Sequence, residues 1–190
     1  MNSVEPFWTE CLPGVWDRVV FSPEHKVDCH WHVVVETDRW TVVDPFEPGA
    51  SGAPWSQSLK RGASGRIVLT NGNHQRASES WKRDLQLPVC GGTETIPVVE
   101  GWEVLPLPGG ASGELATRPR GARYWILGDS LVNLPSRGLE ILPSKYCLDP
   151  AELVRSLKHL LDTQFDSLLF AHGTPVLSVA RTRLLKILAL

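Results

Sequence analysis

The stretch RIVLTNGNHQRAS, residues 66–78, decides how this chain is read. It opens as a short apolar strand, Arg66 to Thr70, and turns polar over Asn71, Gly72, Asn73 and His74. From Ala77 onward, Ala77, Trp81 and Leu85 recur at i, i+4 and i+8, one stripe of a helix. Glu79 and Arg83 form an i, i+4 pair on the side expected to face solvent. Strand, polar loop and helix in that order make up the unit of a layered α/β fold. In such folds ligands bind beyond the carboxyl ends of the strands, on loops held by a rigid sheet.

Three other apolar strands end in the same way. TVV (41–43) runs into Asp44 and Pro45, WIL (125–127) into Gly128, Asp129 and Ser130, and LLF (168–170) into Ala171, His172, Gly173 and Thr174. Four such loops can converge. His74, Asp129 and His172, far apart in sequence, are therefore expected to line one cleft.

Outward from these segments, Val27 to Val35 reads as a strand and Trp40 to Val43 as the next, with a turn at Thr37, Asp38 and Arg39. Phe46 to Gly65 is rich in Gly, Pro and Ser, a loop with one short helix over Trp55 to Arg61. Pro97 to Pro108 reads as strand, turn at Glu100 and Gly101, strand, and Arg123 to Leu127 as a further strand. Asp149-Pro150-Ala151-Glu152 is a helix start: Asp149 as cap, Pro150 in the first turn, Glu152 reaching back as a capping box. Leu153, Leu157, Leu160 and Leu161 give that helix its buried stripe. Asp166 to Phe170 is the last strand. A closing helix follows from about Leu177, with Leu177, Ala180, Leu184, Ile187 and Leu188 facing inward. Strands come first in pairs and later alternate with helices, which fits a layered α/β sandwich rather than a bundle or an all-β barrel.

Composition agrees. The chain has 190 residues, 42% apolar and 21% charged, the range of one ordinary globular domain, here residues 1–190. The net charge of −2 points to neither nucleic acid nor an anionic membrane as partner. No stretch approaches the roughly 18 apolar residues of a membrane span. Cys11, Cys29, Cys90 and Cys147 are scattered, without framework or zinc-ribbon spacing. The start MNSVEPFWTE carries no apolar run. A cytoplasmic protein with four reduced thiols is expected.

With these segments in place, the order of motifs resembles the metallo-β-lactamase fold superfamily from roughly Val27 to Thr174. VVVETDRWTVVDP resembles the family's opening hairpin, which ends in a supporting Asp, here Asp44. IVLTNGNHQRAS stands where the family carries its His-x-His-x-Asp-His motif. LPLPGGASG resembles the Pro-Gly-His segment, YWILGDSLV the segment of the metal-bridging Asp, here Asp129, and LLFAHGTPV the last segment, whose His is His172. The resemblance implies a four-layer αββα sandwich. It also implies a hydrolase-like activity, the attack of a metal-activated water on a carbonyl or phosphoryl centre.

Several ligand positions differ. Asn71 and Asn73 stand at the first two His positions, Gln75 at the Asp, Arg76 at the final His, and Gly110 at the His of the third segment. None of these types is a usual strong zinc ligand, so no dinuclear zinc centre is expected. Asp129 and His172 match ligand positions, and His74 lies in the right loop one place out of register. Two imidazoles and a carboxylate with an open position suit a single zinc or iron ion, which would bring a bound water's pKa to about 7. The reading is thus a reduced-site hydrolase of an ester, thioester or phosphoester. Asp129, His172 and Asp44 are its catalytic residues, and His74, Asp129 and His172 hold its metal. Arg76, Asn73 and Asn71 orient a small anionic molecule. The alternative is a non-catalytic, metal-free anion-binding or regulatory module on the same fold, with Arg76 in the metal's place.

Two further motifs are read structurally. His30 and His32, at i and i+2 of a strand, share one face and are taken as a partly exposed pair. Ser130, beside Asp129, lacks the G-x-S-x-G elbow of a serine nucleophile.

Overall fold

The structure, a computed structural model, describes residues 8–47 and 53–188. The opening heptapeptide and residues 48–52 of the expected loop lie outside the described residues. Twelve strands appear among those described: β1 (Thr9–Leu12), β2 (Val15–Ser22), β3 (Val27–Val35), β4 (Arg39–Val43), β5 (Ser64–Leu69), β6 (Val89–Gly91), β7 (Trp102–Pro106), β8 (Leu115–Pro119), β9 (Tyr124–Leu127), β10 (Leu131–Leu134), β11 (Gly138–Ile141) and β12 (Ser167–Phe170). The helices are α1 (Ser56–Lys60), α2 (Ser78–Leu85), α3 (Pro150–Leu160) and α4 (Ala180–Ile187). One sheet runs β1-β2-β3-β4-β5-β6, a second β12-β9-β8-β7, and β10-β11 is a separate hairpin.

Side-chain alternation along the strands explains the layering. Trp31, Val33, Trp40, Val42, Ile67 and Leu69 project from the outer face of the first sheet and pack with Trp55 and with Trp81 of α2. Val34, Val43 and Val68 project inward and meet Ile126 and Leu169 of the second sheet. The other face of that sheet, through Leu127, Leu168 and Phe170, packs on Leu153, Leu157 and Leu160 of α3 and on Ala180 and Leu184 of α4. The order helix, sheet, sheet, helix is the four-layer αββα sandwich.

Each sheet contains a parallel pair at the site. β4 runs parallel to β5, and β9 parallel to β12. The carboxyl ends of β4 and β5 therefore deliver Asp44 and the 70–74 loop together, and those of β9 and β12 deliver Asp129 and His172. Main-chain bonds tie the sheets at this end: Leu115 N–H donates to Thr70 O at 2.8 Å, and His30 N–H to Ala171 O at 2.8 Å.

Several expectations need correction. Leu85 is 37% exposed, because α2 ends there in a left-handed Gln86 and the next buried side chain is Leu87. Glu79 approaches Lys82 at 3.9 Å, while Arg83 pairs with Asp84. Pro97 to Val99 forms no strand: Pro97 lacks an N–H to donate, and Val98 is 94% exposed. The closing helix starts at Ala180, after a left-handed Val179, which leaves Leu177 exposed. Asp149 does cap α3, its Oδ1 accepting from Ala151 and Glu152 N–H at 2.9 Å each. The reciprocal half of the capping box is not needed, because Asp149 N–H already donates to Gly109 O.

Candidate metal centre

The polar end of β5 builds the site first. Asn71 Oδ1 accepts from Asn73 N–H at 2.9 Å and so caps a single 3-10 turn over Gly72–His74. That tight turn aims the His74 ring back toward β4. Asp44, at positive φ, turns its carboxylate under the loop. Thr70 N–H donates to Oδ1 at 2.8 Å and the Thr70 hydroxyl to Oδ2 at 2.5 Å. His74 Nδ1–H donates to Oδ2 at 2.8 Å. This bond fixes the tautomer and turns Nε2 toward the cleft, as carboxylate partners of metal-binding histidines do.

His74 Nε2 then lies 3.2 Å from Asp129 Oδ1, and His172 Nε2 lies 3.1 Å from the same oxygen. One ligand atom from each of His74, Asp129 and His172 falls within 4.8 Å of the others. Asp129 Oδ1 is buried and accepts no aligned hydrogen bond, although two ring nitrogens stand at ion-pair distance. A tetrahedral zinc site with bonds of about 2.0–2.2 Å puts its ligand atoms a little over 3 Å apart. Three donors of suitable type converge here, so a single divalent ion fits.

Burial opposes protonation of His74, but Asp44 and Asp129 outweigh it and push the imidazole up to about 10. For His172 burial again opposes, and Asp129 and the Cys29 thiol outweigh it, to about 9. Asp129, despite its burial, is held well below the usual carboxylate range by the two imidazoles. Without an ion the group is thus two imidazolium cations between two carboxylates. An ion must displace both protons, so its affinity rises with pH.

A residue that the sequence did not single out closes the other side. Glu114 is buried. Its Oε1 accepts from Ser130 N–H at 2.9 Å and from the Ser130 hydroxyl at 2.7 Å, and its Oε2 accepts from Asn71 Nδ2 at 2.7 Å. Asn71 Nδ2 also donates to Asp129 Oδ2 at 3.1 Å. Burial, with Asp129 nearby, pushes the Glu114 carboxyl up to about 7. Glu114 also fills space: a Cβ at Gly110 would stand 3.2 Å from Glu114 Cγ and 3.3 Å from Ser130 Oγ. The Ser130 hydroxyl is committed to Glu114, away from any nucleophilic role. Nothing in the sequence around Glu114 marks it, since the segment after it, LATRP, reads as a loop.

The other named residues fall as follows. Asn73 is exposed and contributes its N–H to the cap. Arg76 Nη1 donates to the carbonyls of His30 (3.2 Å) and Asp44 (2.9 Å), and the guanidinium stacks 4.3 Å from the Phe46 ring. No ion pair joins Arg76 to Asp129. His30 and His32 share one face as expected but are buried rather than partly exposed. β2, unread in the sequence, covers them and sets Asp17 opposite His32. Asp17 Oδ2 lies 2.9 Å from His30 Nδ1, and Asp17 Oδ1 lies 3.4 Å from His32 Nε2. All four cysteines are free thiols.

No protein-family model and no curated protein matches this chain. Solved structures do. The metallo-β-lactamase DIM-1 superposes with a TM-score of 0.72 at 15% identity, over 97% of each chain. A metallo-β-lactamase from Erythrobacter litoralis gives 0.72 at 11% identity, over 100% of this chain and 98% of that one. FIM-1 from Pseudomonas aeruginosa, solved in its mono-zinc form, gives 0.72 at 12% identity over 100% and 95%. The chain has the metallo-β-lactamase fold. At these identities the likeness concerns the fold alone. Within the metallo-β-lactamase fold the His/Asp/His group lies at the carboxyl ends of the strands, where the two sheets meet. No helix among the described residues is long and apolar enough to cross a membrane.

Proposed function

We propose that this chain is a hydrolase-like protein with a reduced, single-metal site that cleaves an ester, thioester or phosphoester. The observation that carries the reading is the convergence of His74 Nε2 and His172 Nε2 on the buried, unaligned Asp129 Oδ1. These three residues would hold one zinc or iron ion. A bound ion supplies Lewis acidity and a water acidified to a pKa near ~7. The chain's own residues do the rest. Asp44 keeps the proton on His74 Nδ1. Asn71, braced by Glu114, orients Asp129. The small molecule expected here carries negative charge on its scissile group or develops it during cleavage.

The same geometry favours one other reading, a metal-free module. The two imidazolium groups and the carboxylates of Asp44 and Asp129 neutralise one another without an ion.

Metal analysis of protein purified without chelator separates the two. The single-metal reading expects one equivalent at most, lost in His172→Ala, together with hydrolysis of a chromogenic ester, thioester or phosphoester that disappears on chelation. Two tightly held equivalents would overturn the reduced site. Protein that neither carries nor takes up metal at pH 8 would favour the module.

A further inference from the structure

A concavity among the described residues is lined in part by Glu114, whose carboxyl also braces Asn71 beside the candidate metal site. Its volume is about 410 Å³, within the range of small-molecule sites. Residues 93–97, residues 106–115 and the start of α3 with the preceding Leu148 form its walls.

The walls are locked to one another through main chain. Gly113, at positive φ, lies so near Thr93 that a Cβ would stand 2.4 Å from the Thr93 carbonyl oxygen. Gly109 packs as closely on the first turn of α3, where a Cβ would stand 2.3 Å from Leu153 N. Leu148 and Asp149 N–H donate to the carbonyls of Gly110 and Gly109. The Ser156 hydroxyl donates to Pro108 O at 2.8 Å, and the Ser112 hydroxyl to Glu94. The cleft is therefore pre-formed.

Its chemistry is one-sided. Ile96, Pro97, Pro106, Pro108, Leu115 and Leu148 supply apolar wall, and the ionisable groups lining it are Glu94, Glu114 and Glu152, with no Lys, Arg or His. Ile96 and Leu148, which line it, are 58% and 73% exposed. The Glu114 carboxyl is already occupied by Asn71 and Ser130, and one Glu94 oxygen accepts from Ser112, so the other Glu94 oxygen and Glu152 are open to a ligand. An anion here would face the carboxylates of Glu94 and Glu152. A cation on an apolar body would match both the charge and the walls.

We propose that this cleft binds a small organic cation with an apolar body, a site separate from the metal centre and independent of whether that centre holds an ion. The probes are 4-phenylbutylammonium, 4-phenylbutanol and 4-phenylbutyrate, which share one skeleton and differ in charge. Each is titrated into the full chain with chelator present, following methyl resonances by NMR, so that the result does not depend on metal. The ammonium compound is expected to bind about tenfold tighter than the carboxylate, with the alcohol between, and to shift the Ile96, Leu115 and Leu148 methyls. In the double variant Glu94→Gln/Glu152→Gln the cation's advantage over the alcohol falls at least threefold while the alcohol's affinity holds. Both acids lie outside the core, and circular dichroism checks the fold of the variant. Binding of the carboxylate as tight as that of the ammonium overturns the proposal, as does a double variant that keeps the preference. Absence of shifts at those methyls with every probe at millimolar concentration overturns it as well.

Discussion

Asp44 carries more of the site than either histidine. Both of its oxygens are bonded inside the protein, to Thr70 and His74, and its carbonyl accepts from Arg76. Asp44→Ala removes one partner of a buried ion pair and strands the Thr70 N–H. A loss of about 3–5 kcal/mol is expected, read from urea unfolding at neutral pH. A loss under about 1 kcal/mol would show that the network contributes little. His32 offers a pH-dependent test outside the His74, Asp129 and His172 group. Burial, only partly opposed by Asp17, pushes its imidazole down to about 4. The unfolded chain takes up this proton below about 6.5, the folded chain only below about 4. Stability from neutral His32 is thus full above about pH 6.5 and lost as pH falls toward 4, about 3 kcal/mol in all. Glu114, pushed up to about 7, acts in the opposite direction over the same range. The measurement is therefore the stability difference between the protein and His32→Gln, which should shift by that amount between pH 7 and pH 4. A difference that does not change with pH would contradict the neutral, buried state of His32.

At the level of elements, α3 was the most legible. Its cap, its Pro150 and its leucine spacing are local signals, and local chemistry sets them. Asp149→Ala should cost about 1 kcal/mol, whereas Glu152→Ala should cost a few tenths at most, because the Gly109 carbonyl takes the place of the capping-box acid. Equal losses in thermal unfolding would restore the box. β8 shows why other elements were not read. LATRP contains a charge and ends in proline, which suggests a loop. Arg118 is nevertheless buried, because β7 supplies Glu103 at 2.7 Å and Trp125 stacks at 4.2 Å from the guanidinium. The same holds for β2, whose Asp17 is acceptable inside only because β3 sets two histidines against it. Buried polar residues with distant partners look like surface from sequence, and that is also why Glu114 was missed. His74, Asp129 and His172 were legible because each lies in the polar loop that follows an apolar strand.

For the whole molecule, the strand and helix pattern gave a layered sandwich, the family resemblance implied its four layers, and the two parallel pairs gather His74, Asp129 and His172. The same layering governs the thiols. Burial, with Asp17 nearby, pushes the Cys11 thiol up to about 12, and burial raises Cys147. Cys29 is 4% exposed. Denatured, unreduced protein should titrate four thiols. Folded protein should react far more slowly at Cys11, whose thiolate, the reactive form, is suppressed, and at Cys29, which is buried. Fewer than four thiols after denaturation would point to a covalent cross-link and an oxidising compartment.

Five of the tryptophans in the outer layer of the first sheet stand in ring contact. Trp8 stands 4.5 Å from Trp31, Trp55 lies 4.8 Å from Trp81, and Trp40 stacks on Trp55 at 5.8 Å. Indoles this close exchange excitation energy before they emit. Light absorbed by any one of them becomes shared among the group, so emission and its polarisation describe the layer as a unit. Fluorescence depolarised by this transfer, with an exciton couplet in the circular dichroism, should be a built-in optical gauge of how tightly α2 sits on its sheet. It should vanish when that layer peels away, even if the second sheet stays folded.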